Sequence, residues 1–195
     1  MNGWELPKTI CISGKEWAIR TDYRDILNVL SMFSDGDLEK ECISAGISPE
    51  DVKNKTMLEM MVNNFSDLPK RQYPEAAQKC VDFINFGNFK SSGPVLMDWE
   101  KDAPILIPAI NQVAGTEIRA VPYIHWWTFL GYYMGIGEGL FSQVVSIRKK
   151  KAQGKKLEKW ETEFYKQNRE MCQLNTKKNR RSEEEKAALN KLFGR

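Results

Sequence analysis

Apolar and polar residues alternate near the start of the chain, in "TICISGKEWAIR", and apolar residues recur at helical spacing through most of the remaining length. Ile10 and Ile12 share one face of a short strand, and Trp17 and Ile19 share one face of a second. The Gly14-Lys15 junction between them supplies the backbone freedom of a tight turn. Thr21 and Asp22 then offer side-chain oxygens to the first amides of a helix. That helix carries Tyr23, Ile26, Leu27, Leu30 and Phe33 on its apolar side and stops near Gly36.

A further helix is predicted from Ser48-Pro49-Glu50 through Phe65, and another from Tyr73-Pro74-Glu75, where proline is tolerated because first-turn amides have no partner. Ala76, Ala77, Cys80, Phe83 and Ile84 line the second of these, which ends near Gly87; "GNFKSSGP" then reads as a loop. In "MDWEKDAPILIPAINQVAG", Asp102 can cap, Pro104 occupies the first turn and Gly115 closes the far end. Pro108 removes an amide from the interior, which predicts a kink or a late start. "IHWWTFLGYYMGIGEGLFSQVVSIRKKK" reads as a buried central helix to Met134, a glycine-rich turn, and a second helix from Gly139 that leaves the core for solvent. Trp126 and Trp127 are expected to pack on different neighbours.

Past Gly154 the apolar positions Leu157, Phe164 and Met171 lie seven apart, with Trp160, Gln167 and Leu174 at the companion spacing. They form an amphipathic stripe, too short to demand a coiled coil. Ser182 to Glu185 has the form of a capping box and opens a last helix with Leu189 and Leu192. The fold class predicted is mostly α, with a short N-terminal β-hairpin and a basic helical C-terminal region.

Charge divides the chain. Its net charge of +3 conceals sixteen Lys and Arg against seven Asp and Glu from Arg148 to Arg195, and thirteen against nineteen before that. Residues 1–147 therefore read as an acidic, mainly helical body and residues 148–195 as a basic helical appendage. Hydrophobic residues at 42% are enough for a real core in 195 residues. Four scattered cysteines and no signal-like N-terminus point to a reducing, cytoplasmic setting.

Chemistry is scarce. "GIGEG" has Leu140 where a dinucleotide fingerprint needs its third glycine, and it follows a helix instead of a strand. "DWEKD" lacks the glycine and the distal glutamate of a calcium loop, so its acidic residues read as a helix N-terminus. His125 is the only histidine, sits between Ile124 and Trp126, and reads as a buried hydrogen-bonding group. No catalytic, cofactor or metal residue is nominated. Residues 120–137 carry no charge, but His125, Thr128 and the glycines, followed by Glu138, Ser142 and Gln143, count against a membrane span. Aromatics and basic residues are segregated along the chain, unlike a base-stacking groove; nucleic acid is a less favoured partner that the basic tail leaves open.

"MDWEKDAPILIPAINQVAGTEIR", "IHWWTFLGYYMGI" and "FSQVVSIRKKK", in that order, resemble the bacteriophage gene-product-fifteen family, and "DYRDILNVL" is similar to its N-terminal portion. His125, Trp126, Trp127, Phe129 and Arg148 carry the resemblance. It implies a non-catalytic tail assembly chaperone of long-tailed phages, acting in the host bacterial cytoplasm and absent from the mature virion. Its implied partners are the tape-measure protein and the major tail protein, with self-association a further expectation. Leu157, Trp160, Phe164 and Met171 are the candidate partner surface, the alternative being that this stripe packs on the body. A nucleic-acid-binding or structural phage component that uses the basic C-terminal region is the rival function.

Overall fold

The computed structural model describes residues 4–34, 36–86 and 93–174. Among them the fold is mostly helical, headed by one antiparallel hairpin. Strands β1 (Thr9–Ile12) and β2 (Lys15–Ala18) pair with Ile10 opposite Trp17 and Ile12 opposite Lys15. The turn is Ser13-Gly14, one residue earlier than expected, because both residues take positive φ (48° and 81°), as a two-residue hairpin loop requires. The left-handed backbone of Ser13 is offset by two bonds: its amide and hydroxyl donate to the Glu75 carboxylate at 2.9 and 2.7 Å. Ile10, Ile12, Trp17 and Ile19 all point into the core, as their alternation predicts.

Helix α1 (Tyr23–Ser34) is capped by Asp22, whose Oδ1 accepts the Arg24 amide at 2.9 Å. Tyr23, Ile26 and Val29 are its buried residues, with Leu27, Leu30 and Phe33 packed at the edges. α1 ends at Ser34, close to the stop expected at Gly36, and a separate helix, α2 (Gly36–Ser44), begins there. Helix α3 (Pro49–Met61) opens on Ser48, whose hydroxyl accepts the Asp51 amide at 3.3 Å.

α3 stops at Met61, four residues short of the predicted end at Phe65. A tertiary contact ends it. Val62 is extended and bridges Ile19 beyond the end of β2, the Arg20 amide donates to the Met61 carbonyl at 2.7 Å, and the Asn63 amide to Ala18 at 3.0 Å. The hairpin strand thus takes the groups that another helical turn would have used.

Helix α4 (Tyr73–Ile84) starts with Pro74 in its first turn and buries Ala76, Ala77, Cys80, Phe83 and Ile84, the face read from the sequence. Gly87 and most of the "GNFKSSGP" loop lie outside the described residues. Helix α5 (Ala103–Ala114) runs through Pro108 without a late start. Gly115 ends it at φ 67°, a left-handed conformation suited to glycine. Helices α6 (Trp126–Met134) and α7 (Leu140–Ala152) flank the glycine-rich turn as predicted. The heptad stripe is two helices, α8 (Lys159–Gln167) and α9 (Arg169–Cys172), separated at Asn168, whose φ and ψ of −119° and 39° are not helical. The capping box found here is Glu158 with Glu161; the one expected at Ser182, with Leu189 and Leu192, lies outside the described residues.

The hairpin, α1 and α3 to α6 enclose one core. A smaller cluster of Val144, Ile147 and Cys172 joins α7 to α9. The division at 147/148 falls within α7, which continues through it. Among the described residues no helix is long and apolar enough to cross a membrane.

Gly115→Ala tests the helix stop. A Cβ there meets nothing within 4 Å, so the cost is backbone strain alone, and urea denaturation should register a loss of about 1 kcal/mol.

Candidate functional site

The signature residues of the sequence gather into two buried polar centres. The first forms where the chain before α1 meets the chain before α6. Asp22 and His125 form an isolated antiparallel bridge, with Tyr23 donating to the Ile124 carbonyl at 3.0 Å and Trp126 to the Thr21 carbonyl at 2.7 Å. The Thr21 hydroxyl shares a 2.7 Å bond with the Tyr123 hydroxyl.

His125 is the N-cap of α6. Its Nδ1 accepts the Trp127 amide at 3.0 Å, so the ring proton sits on Nε2, which donates to the Pro7 carbonyl at 2.9 Å. The imidazole is 2% exposed, and burial lowers its pKa below the ordinary 6.5, although the bond to Pro7 opposes the shift. Both nitrogens are therefore engaged by backbone. The buried hydrogen-bonding role read from the sequence is the one the structure displays.

The two tryptophans that follow act together. Trp126 Nε1 donates to the Ile84 carbonyl and Trp127 Nε1 to the Phe83 carbonyl, each at 2.9 Å. Carbonyls in the last turn of a helix lack intrahelical partners, so adjacent indoles close the C-terminus of α4. Their rings do diverge, as expected. Trp127 packs between Phe83 and Phe86, while Trp126 joins Trp99 and Phe129. Phe129 also stacks on Tyr23, with centroids 4.6 Å apart and planes 8° from parallel.

Arg24 completes this centre from the α1 side. It pairs with Asp22 at 3.1 Å and donates to the Val121 carbonyl at 2.6 Å, with longer bonds to the Ile118, Arg119 and Pro122 carbonyls. Within that loop, Glu117 holds Arg119 at 2.8 Å, and these bonds hold the Glu117 pKa at about 2. Sequence reading missed Arg24 because its partners are mostly backbone carbonyls far along the chain, which leave no residue-type signal.

The second centre is built on Arg148. Its guanidinium pairs with the Asp102 carboxylate through two bonds of 2.6 and 2.8 Å, and the two side chains are 4% and 2% exposed. The remaining donors reach the Leu96 carbonyl at 3.0 Å, Met171 at 2.6 Å and Cys172 at 3.3 Å. All five guanidinium N–H groups are thereby used. Asp102 also accepts the Asp98 amide at 3.0 Å.

This corrects the sequence reading of Asp102. It occupies the N-cap position of α5, yet its side chain makes no capping bond and serves Arg148 instead. A buried arginine needs a buried anion, and no local pattern marks which carboxylate of "DWEKD" it is. Lys101 beside it holds the Gln173 carbonyl, fastening the end of α9 to the start of α5.

The proposed partner stripe is divided. Leu157, Phe164 and Met171 are partly buried against Val144, Ile147 and Cys172, while Trp160 remains 51% exposed with its Nε1 bonded to Glu158 at 3.1 Å. The stripe's first role is thus to dock α8 and α9 on α7. Glu161, buried beneath, binds Lys150 at 2.6 Å and accepts the Glu158 amide at 2.8 Å. Those two bonds, the lysine's first, lower its pKa. No group of three or more metal-ligating side chains occurs among the described residues.

These features define a class: a mostly helical protein whose buried polar groups tie helices to distant backbone. The model of one family, described as Bacteriophage Gp15 protein, matches residues 4–174, and the chain belongs to that family. Comparisons with curated proteins and with solved structures gave no match.

Two measurements test the centres. Arg148→Lys cannot make the paired geometry and leaves buried acceptors unmet, so urea denaturation should show a loss of about 3 kcal/mol or more. Asp102→Ala with Arg148→Ala should cost less than the sum of the single changes, since neither charge is then stranded. His125 predicts a pH effect of defined sign. Its folded pKa is below the unfolded 6.5, so the unfolded state binds the proton more readily. Stability is full above about pH 6.5 and falls as the pH drops below it. Because the chain has one histidine, thermal melts of His125→Asn should lose that slope.

Proposed function

We propose that this protein is a non-catalytic tail assembly chaperone that binds the tape-measure protein and tail-tube subunits while phage tails are built. Its place of action is the host cytoplasm, and it is absent from the finished virion. Family membership sets the phage context. The observation that carries the binding role is the distribution of large apolar side chains. The polar groups of both centres are engaged with each other and with backbone, whereas Trp4, Ile43, Val95, Met134 and Trp160 each stand more than half exposed. Of these, Trp160 supports the reading most directly, since aromatic anchors contribute much of the energy at protein contacts; apolar residues exposed singly are ordinary surface positions.

The rival reading, an anionic partner such as nucleic acid, draws on the exposed Lys149, Lys155, Lys156 and Lys159. Against it, Lys150 is committed to Glu161 and Lys151 lies over the Tyr165 ring at 3.6 Å.

Co-expression with the tape-measure protein of the same phage separates the two. A chaperone keeps that protein soluble and co-purifies with it, and Trp160→Ala weakens the complex without lowering the melting temperature. If the tape measure precipitates as it does alone, the reading fails. Binding to DNA or RNA that declines steeply with added salt would favour the rival.

A further inference from the structure

We propose that the outer edge of β1 is the surface through which two copies of this chain pair, strand against antiparallel strand. In the hairpin Ile10 lies opposite Trp17 and Ile12 opposite Lys15, and the Ile19 amide donates to the Lys8 carbonyl at 3.0 Å. Bonds between antiparallel strands fall at alternate residues, so Lys8, Ile10 and Ile12 turn their backbone groups toward β2. Thr9 and Cys11 turn theirs away from it. Among the described residues nothing bonds to those outward amides and carbonyls. On the opposite side of the hairpin, the chain after α3 already covers part of β2: the Arg20 amide donates to Met61 and the Asn63 amide to Ala18.

Open edges are a liability that proteins usually blunt with a charge, a proline or a bulge. Thr9–Ile12 has none of these: its residues are uncharged and its pairing with β2 is regular. Thr9 is half-buried and Cys11 exposed on the outer face of the hairpin. Side chains this small leave the backbone within reach of another strand.

The edge is self-complementary, which selects a second copy as its occupant. About a two-fold axis at Ile10, Thr9 of each copy faces Cys11 of the other, and every outward amide meets an outward carbonyl. The same register sets Lys8 opposite Ile12 of the second copy, next to Ser13. Ser13 is where the Glu75 carboxylate is held, so an exposed lysine meets an exposed carboxylate at each end of the pair. The residues leading into β1 add apolar surface. Trp4 and Leu6 are 94% and 46% exposed, and antiparallel pairing carries them toward the second copy's turn and the exposed Pro74 beside Glu75. Two strands of four residues fall well short of a standard interface of roughly 1,600 Å², so the pair is weak and forms as concentration rises. Pairing is independent of the chaperone role, since it needs no other protein.

Sedimentation equilibrium of the full chain tests this. The average mass should rise from 22.5 kDa toward twice that value as concentration increases. Cys11→Pro removes an outward amide that the hairpin does not use, a change that edge strands tolerate. That variant should keep its circular dichroism spectrum and remain a monomer, whereas Cys11→Ser should pair as the unaltered chain does. Mixed disulfide formation locates the contact without relying on the proline variant to fold. Chains with Thr9→Cys and Cys11→Ser are mixed with unaltered chains under mild oxidation. Cys42, Cys80 and Cys172 are buried, so the reactive thiols are those at positions 9 and 11. Mixed dimers should form several-fold faster than either chain joins itself. A monomer at every concentration, as expected if the edge serves a strand of another protein, would overturn the proposal. So would a folded Cys11→Pro protein that still dimerises, or mixed dimers that form no faster than like pairs.

Discussion

A single guanidinium ties three separate parts of the chain together. Arg148 projects from α7 and meets the carboxylate at the head of α5, the carbonyl of Leu96 ahead of it, and two carbonyls at the end of α9. Desolvating such a pair is costly, and the cost is offset only when every donor finds an acceptor. Here each does. The apolar cluster of Val144, Ile147 and Cys172 is small, and α9 is only four residues long; Arg148, together with Lys101 on the Gln173 carbonyl, sets its orientation.

The first polar centre applies the same principle to the larger core. One short bridge between Asp22 and His125 starts two helices, with Asp22 capping α1 and His125 capping α6. The indoles of Trp126 and Trp127 then finish a third, α4. Helix ends are where backbone groups go unpaired, so a core assembled from short helices has many to satisfy. Clustering the caps in consecutive residues places three helix ends in mutual register.

The polar side chains of the two centres are committed inward, whereas Trp160 stands 51% exposed. An exposed aromatic side chain of this kind fits the proposed role of holding other chains.

Period and composition determined much of this protein in advance. The hairpin faces, the buried face of α4, the span of α6, the turn after it and the buried character of His125 all follow from local rules: alternation, helical spacing, glycine conformation and capping chemistry act within a few residues. Only the tertiary structure decided the rest. α3 ends at Met61 because the strand that leads to Ile19, far earlier in the chain, claims its last groups. Asp102 leaves its own helix for Arg148, 46 residues on. Arg24 reaches the Val121 carbonyl, 97 residues away, and three members of the C-terminal stripe turn inward while Trp160 stays out. Each outcome depends on a partner distant in sequence, and neither a carboxylate nor a carbonyl announces which distant donor will reach it.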